Sequence, residues 1–536
     1  MASYAAIHST PSEHSSRPAS EASQTRRRHP KYTGMGGNAS WLSSVINLLN
    51  TIVGAGVLAM PHALSNMGIL LGTLIILWAG LTAGFGLYLQ TRCARYLDRG
   101  SASFFALSQI TYPNAAVVFD AAIAVKCFGV GVSYLIIIGD LMPGVVRGFG
   151  EVGAQEGYLL DRRFWVTAFM LIVIPLSFLR RLDSLKYTSV IALISIAYLV
   201  VLVVYHFSTG DTLAERGTVN VVKWQGLIPT LSSFPVIVFA YTCHQNMFSI
   251  LNEIKTNTPF RTTSVVTASI GSAASIYILV AVTGYLSFGD NIIGNIVAQY
   301  TPSVASTIGR AAIVVLVMFS YPLQVHPCRA SVDAVSKWRP RRSANGNGSG
   351  SGGNEEFTPA SGSPSRHSLL GHTPQQKSPS QKGGKPEEMS ELRFAIITTA
   401  IIILSYIVAM TVSSLDKVLA YVGSTGSTSI SFILPGLFYY KISSPESAAH
   451  QRLLKDEDDE EYDGSSSGEE SPLERSGFGG GSGNGGSWRS GLAAKMRRRE
   501  WRRGLLRKGS LALAIYGLGV MVVCLVTNTF LVSAAH

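Results

Sequence analysis

Charge is what this sequence has least of. Asp, Glu, Lys and Arg make up only 14% of its 536 residues, against roughly 25% in an average soluble domain. Those charges crowd into the N-terminal segment and two Ser/Gly-rich stretches, leaving apolar runs of about 20 residues between them. That excludes a string of ordinary soluble domains and describes a polytopic membrane protein, since a helix needs about 20 apolar residues to cross the hydrocarbon. Cysteine is scarce as well: Cys93, Cys127, Cys243, Cys328 and Cys524 lie far apart, with no Cys-x-x-Cys and no metal-ligand spacing. A disulfide framework and a zinc site are excluded, and the five read as small buried hydrophobes. There is no Walker A motif and no Gly-x-Ser-x-Gly elbow, and Gly54-Ala55-Gly56 lacks the third glycine and the βαβ setting of a dinucleotide fingerprint. An enzyme is not expected, nor is a cofactor.

The net charge of +12 has no folded basic domain to carry it, so nucleic acid is not expected as a partner. It is read through topology instead, because Lys and Arg accumulate on the cytoplasmic side of a membrane. Roughly eleven spans follow from length and apolarity, near 42–64, 68–91, 117–146, 164–180, 187–207, 227–251, 263–288, 304–325, 393–414, 417–440 and 510–533. With the N-terminus inside, cytoplasmic loops hold Arg92, Arg95 and Arg99, then Arg180, Arg181 and Lys186, then Lys255 and Arg261, and later Arg329 to Arg342. Opposite loops mix Arg147, Arg162 and Arg163 with Glu151, Glu156 and Asp161. The bias predicts a cytoplasmic N-terminus and a C-terminus on the far side. Residues 1–39 are polar, with Arg26-Arg27-Arg28 and Lys31 ahead of the first span, which is expected to serve as an uncleaved signal-anchor.

The chain therefore divides into a disordered cytoplasmic tail (1–40), spans 1–8 (41–335), a disordered cytoplasmic loop (336–391), spans 9–10 (392–441), a second disordered loop with a basic end (442–508), and the last span (509–536). Both loops lack the apolar content to form a core. Ser363, Thr373 and Ser378 each precede proline and are either proline-directed phosphorylation sites or part of an unmodified spacer. The Asn347 sequon sits on the wrong side for glycosylation. The basic run 492–509 either lies on an anionic leaflet or simply anchors the last span.

Within the first span, Gly54-Ala55-Gly56 and Pro61 interrupt an otherwise helical run. In a helix interior these residue types cost roughly 1 and 3 kcal/mol against alanine. Backbone that leaves helical geometry inside a membrane is tolerated only where it is buried in protein or lines a cavity. Freed N–H groups at a half-helix start suit a carboxylate, and freed carbonyls at a half-helix end suit a cation or ammonium. The sixth span carries Pro235 and then Tyr241-Thr242-Cys243-His244-Gln245-Asn246. Breaks in the first and sixth spans are the pattern of a five-plus-five inverted repeat with its site between the halves. The alternative is that Gly54 and Gly56 form a helix-packing notch.

NLLNTIVGAGVLAMPHAL, SYLIIIGDLMP (133–143), FAYTCHQNMFSILNEI (239–254) and YPLQVHPCR (321–329) resemble the amino acid/auxin permease family. Within it they are similar to fungal vacuolar amino acid transporters (the AVT branch) and to sodium-coupled neutral amino acid transporters. The resemblance covers roughly 41–335 and 392–535. It implies an all-α LeuT-like core of ten helices plus one. The substrate's α-amino and α-carboxylate groups would sit between Thr51, Gly54, Ala55 and Gly56 on the first helix and Ala240, Tyr241, Thr242 and Cys243 on the sixth. It also implies an amino acid substrate, the lipid bilayer and protons, with sodium the alternative, as partners, and a vacuolar membrane location; the direction of transport stays open.

For sodium, the resemblance points to Asn50 on the first helix and Ser320 on the eighth, a sparse set of oxygens. For protons a titratable group is needed, and intramembrane ionisable residues are functional hypotheses by default. Asp120, Lys126 and Asp140 lie on the third span. His244 sits beside the sixth-helix break, with an unperturbed pKa near 6.5; it is either a proton site or gate, or a hydrogen-bonding residue that holds the broken helix. If it is the proton site, His244→Ala flattens the pH dependence of transport. Asp140 is either a coupling group or part of a structural network. Two rivals remain at this stage: a sodium-coupled plasma-membrane permease, and a non-transporting amino acid sensor.

Overall fold

A computed structural model of the chain describes residues 37–98, 100–150, 154–179, 188–337, 389–454 and 485–531. The tail to residue 36, residues 338–388 and 455–484, and with them Ser363, Thr373, Ser378 and Asn347, lie outside the described residues, as do Arg99, Arg180, Arg181 and Lys186. What is described is helical throughout, apart from one isolated β-bridge between Ala39 and Ile254.

The first expected span is two helices, α1 (Trp41–Ile52) and α2 (Gly56–Ser65), bent by 57°. They are followed by α3 (Ile69–Cys93), the short α4 (Phe104–Thr111), α5 (Ala116–Gly148), α6 (Arg162–Ser177) and α7 (Thr188–Thr209). The sixth span is again a pair, α8 (Leu227–Ala240) and α9 (His244–Glu253). Then come α10 (Pro259–Phe288), the one-turn α11 (Ile296–Gln299), α12 (Val304–Lys337), α13 (Glu391–Thr411), α14 (Leu415–Val422), α15 (Leu434–Ile442) and α16 (Gly485–Val526).

Helix starts are written locally. Ser40, Thr258, Ser390 and Ser414 each accept a backbone N–H three residues on, at the heads of α1, α10, α13 and α14, and Pro259 occupies the first turn of α10, where its missing donor costs nothing.

Among the described residues eight helices are long and apolar enough to cross a membrane, or nine counting the bent α1–α2 pair. The other two expected spans are helical too. With 16 residues, α6 rises only about 24 Å, short of the roughly 30 Å hydrocarbon core. The tenth span is continuous from α14 to α15, but its middle, Gly423–Ser427 and Ser429–Ile433, is π-wound.

Two boundaries differ from expectation. The eighth helix was expected to stop near 325, yet α12 runs through Pro322 and Pro327 to Lys337. Its polar end is satisfied in place: Arg329 donates to the Ser177 carbonyl and to Thr398 Oγ1, and Asp333 pairs with Lys337 and Arg393. The last helix starts at Gly485, well ahead of 509, because the Leu, Ala, Lys and Arg that fill 492–508 are strong helix formers.

Helices meet through small residues, as they must where lipid is as apolar as leucine. Along α3, Gly80, Ala83 and Gly86 face inward while Leu70, Leu74, Leu77 and Leu81 face out. The α5–α12 crossing is antiparallel: Gly131 lies against Tyr321, Gly144 against Arg310 and Gly148 against Thr307. A Cβ on Gly148 would fall 2.0 Å from Thr307 Oγ1, so the contact exists only with glycine there. The chain is thus an all-α polytopic membrane protein, with both broken helices inside the bundle.

Candidate functional site

At the first break, Val53 takes extended angles (φ −81°, ψ 100°) and its N–H closes α1 on the Leu49 carbonyl at 2.8 Å. Helix resumes at Gly56, with Val57 N–H bonded to the Gly54 carbonyl at 3.1 Å. At the second break Tyr241 ends α8 and Cys243 (φ −125°, ψ 5°) begins α9, whose Asn246 N–H reaches the Cys243 carbonyl at 3.0 Å. The turn at each restart takes up some of the first N–H groups, Val57 and Leu58 on Gly54 and Ala55 and Asn246 on Cys243, while each old helix ends with carbonyls that have no donor in their own helix.

The two breaks lie against each other. A Cβ on Gly56 would fall 2.6 Å from the Ala240 Cβ and 2.9 Å from its Cα, whereas one on Gly54 would meet nothing within 4 Å. The two glycines of Gly-Ala-Gly thus have different tasks: Gly56 is a packing notch and Gly54 faces open space. Below this contact, Asn246 Nδ2 donates to Thr51 Oγ1 at 3.2 Å, joining α9 to α1.

Tyr277 of α10 ties the ends together. Its buried hydroxyl lies 2.7 Å from the Ile52 carbonyl and 2.8 Å from the Ala240 carbonyl, so a single proton is shared between the last carbonyls of both broken helices. A lone tyrosine in the apolar run SIYILV gives no signal for this in the sequence, and Tyr277 was not among the expected site residues.

The polar residues after the second break point outward, to α3 and the π-wound tenth span. The Tyr241 ring packs on Gly80, whose added Cβ would lie 3.2 Å from the hydroxyl. His244, fully buried, has Nε2 3.1 Å from the Ala83 carbonyl. An acceptor there fixes the proton on Nε2 and leaves Nδ1 enclosed without a partner. Thr242 Oγ1 donates to the Val238 carbonyl at 2.8 Å and lies 3.2 Å from Ser431 Oγ. The Nε2 contact ties α9 to α3, and the unpartnered Nδ1 is the nitrogen that an added proton would take.

Ser320 turns its hydroxyl back to the Leu316 carbonyl of its own helix at 2.7 Å, and Asn50 Oδ1 is buried without a partner. Beside the first break, α2, α7 and α12 enclose a recess of about 20 Å³, room for about one water. Gly54, Ala55, Val57 and Leu58 form one wall, Ile313, Leu316 and Val317 another, and Ser195 supplies the one side-chain hydroxyl. Asp140 is away from the breaks, where α6 begins and α13 ends: Arg162 Nε donates to it at 3.3 Å while Arg162 Nη2 holds the Val412 carbonyl.

Residues 37–457 match the family model described as transmembrane amino acid transporter protein. "Vacuolar amino acid transporter 5" of Schizosaccharomyces pombe is 43% identical over 422 residues, covering 78% of this chain and 89% of its own. "Vacuolar amino acid transporter 6" of Saccharomyces cerevisiae is 43% identical over 414 residues, covering 76% and 91%. Among solved structures, that of MhsT in complex with L-phenylalanine aligns with a TM-score of 0.48 at 11% identity, covering 92% of this chain and 99% of that one. Motifs, broken helices and relatives agree: the chain belongs to the transmembrane amino acid transporter family.

Proposed function

We propose that this protein carries amino acids across the vacuolar membrane by alternating access around the paired breaks of α1–α2 and α8–α9, and that protons drive it. The observation that carries the reading is the meeting of the two breaks, with Gly56 on Ala240 and Tyr277 across both helix ends. Open N–H groups at the start of α2 receive the substrate carboxylate, and the carbonyls that end α1 and α8 receive its ammonium group. Those carbonyls are the ones Tyr277 now occupies, and the neighbouring recess holds about one water, so the substrate enters only as the breaks move apart. In this reading the N-terminal tail and the 336–391 and 442–508 loops face the cytoplasm, and the C-terminus faces the lumen.

Protons are favoured over sodium by donor chemistry. Sodium is a hard cation that wants several oxygens, and the recess between the first break, α7 and α12 has one serine hydroxyl among its side chains and otherwise aliphatic walls. The test is uptake of a labelled amino acid panel into liposomes holding the full chain, under a pH gradient and separately under a sodium gradient. Flux that follows the pH gradient and ignores sodium is the expected result. Flux that requires sodium overturns proton coupling, and binding without flux overturns transport.

A further inference from the structure

Four charged residues are buried among the described ones: Lys126, Arg310, Arg329 and Asp333. Three have obvious reasons to be there. Arg310 donates to the carbonyls of Val297, Gly144, Ala298 and Tyr300, Arg329 to Ser177 and Thr398, and Asp333 pairs with Lys337 and Arg393. Lys126 is 5% exposed, and among the described residues its amine has neither a carboxylate nor a hydrogen-bond acceptor.

Its neighbours are the π-wound tenth span and the second break. The π-wound segment of the tenth span presses on it: a Cβ on Gly426 would fall 2.8 Å from the Lys126 nitrogen of the main chain and 2.9 Å from its Cβ. The same segment presses on the sixth span, where a Cβ on Gly423 would fall 2.0 Å from the Pro235 carbonyl oxygen. Titratable groups near Lys126 are Cys243 and His244 from the second break and Cys127 from its own helix. On α12 Cys328 bonds the Ala124 carbonyl two residues away, and the π segment brings only hydroxyls, with Ser427 Oγ buried and unpaired. None of these is an acid that would neutralise an ammonium ion. A buried cation without a partner is expensive, and a lysine, unlike an arginine, escapes the expense by giving up its proton. π-turns inside helices recur at functional sites, and this one packs on the Lys126 main chain and Cβ.

We propose that Lys126 carries the coupling proton. Its amine accepts a proton from water when the space between α5, the second break and the π segment opens to one side of the membrane, and returns it to water on the other. No other bond forms or breaks. The assignment rests on the proton-coupled transport reading above.

The experiment uses the full chain in liposomes, as wild type, Lys126→Met and Lys126→Arg. It records pH-gradient-driven accumulation, proton entry with a trapped pH dye, and exchange of labelled for unlabelled substrate at equal pH on both sides. Neither variant side chain can cycle a proton. Both are expected to lose accumulation by an order of magnitude and to lose dye response, and their residual exchange becomes flat from acid to neutral pH. Wild-type accumulation or proton entry in either variant overturns the assignment. So does failure of both to assemble by gel filtration, which makes the lysine a packing element. If the wild type itself ignores the pH gradient, proton coupling falls and the Lys126 assignment falls with it. If only the variants behave like wild type, the transport reading stands and Lys126 alone is withdrawn.

Discussion

Gly56 touches Ala240 where the two broken helices meet, at a separation that leaves no room for even one further methyl group on the glycine. Gly56→Ala would press against α8 backbone rather than a flexible side-chain tip. Overpacking of this kind costs typically about 1–3 kcal/mol. The expected outcome is a lowered melting temperature in detergent together with loss of uptake. Gly54→Ala, with open space around the new methyl, is expected to keep the wild-type melting temperature while raising the apparent KM, because it narrows the recess that Gly54 lines. Equal melting behaviour of the two variants would sink this division of roles.

Tyr277→Phe removes the hydroxyl that caps both Ile52 and Ala240 and leaves two buried carbonyls unpaired. Losing a partner of this kind costs about 1–3 kcal/mol. Thermal unfolding of the purified protein should show that loss, and addition of a transported amino acid should restore more stability to the variant than to wild type, since the ammonium group takes the same carbonyls. A variant as stable as wild type without substrate would remove Tyr277 from the site.

The His244→Ala variant tests the anchor reading against the proton reading. As an anchor to the Ala83 carbonyl, His244 affects how α9 sits on α3, so transport should drop at every pH with the shape of the pH profile kept. A profile that flattens would return the proton role to His244. Gly86→Ala should resemble it, because the added methyl would lie 2.9 Å from His244 Nε2 and 2.1 Å from the Ser431 carbonyl oxygen.

Asp140 and Arg162 form a pair that is about one-fifth exposed on each side. Arg162 also holds the Val412 carbonyl, so Arg162→Ala breaks two contacts and Asp140→Asn weakens one. The expected order of stability is wild type, then Asp140→Asn, then Arg162→Ala, with Asp140→Asn still pH-driven. Loss of proton coupling in a stable Asp140→Asn protein would make Asp140 a coupling group after all.

Much of the architecture was legible in the sequence because its cause is local. A run of about 20 apolar residues has few options besides a membrane helix, and Gly54-Ala55-Gly56 and Tyr241-Thr242-Cys243 break helices through their own poor fit to them. Less legible was the tenth span: GSTGSTS reads as small and polar, yet nothing in it announces π-winding or the seats of Gly423 and Gly426 against α8 and α5. The bond from the Ser320 hydroxyl to its own helix was not legible either. A serine on a helix can satisfy itself on the carbonyl four residues back, and only its packing decides whether it does.

The sequence by itself determined the membrane-spanning character, the approximate spans and the positions of the two breaks, since these depend on transfer from water and on backbone preference, residue by residue. Only the tertiary structure decided what the breaks face. Tyr277 reaches a carbonyl 225 residues away, Gly56 meets Ala240, His244 turns to α3 rather than into the clamp, and Lys126 is enclosed without a counter-charge. Those pairings depend on which helix faces pack together, and that is set by the fit of small residues against large ones across the bundle.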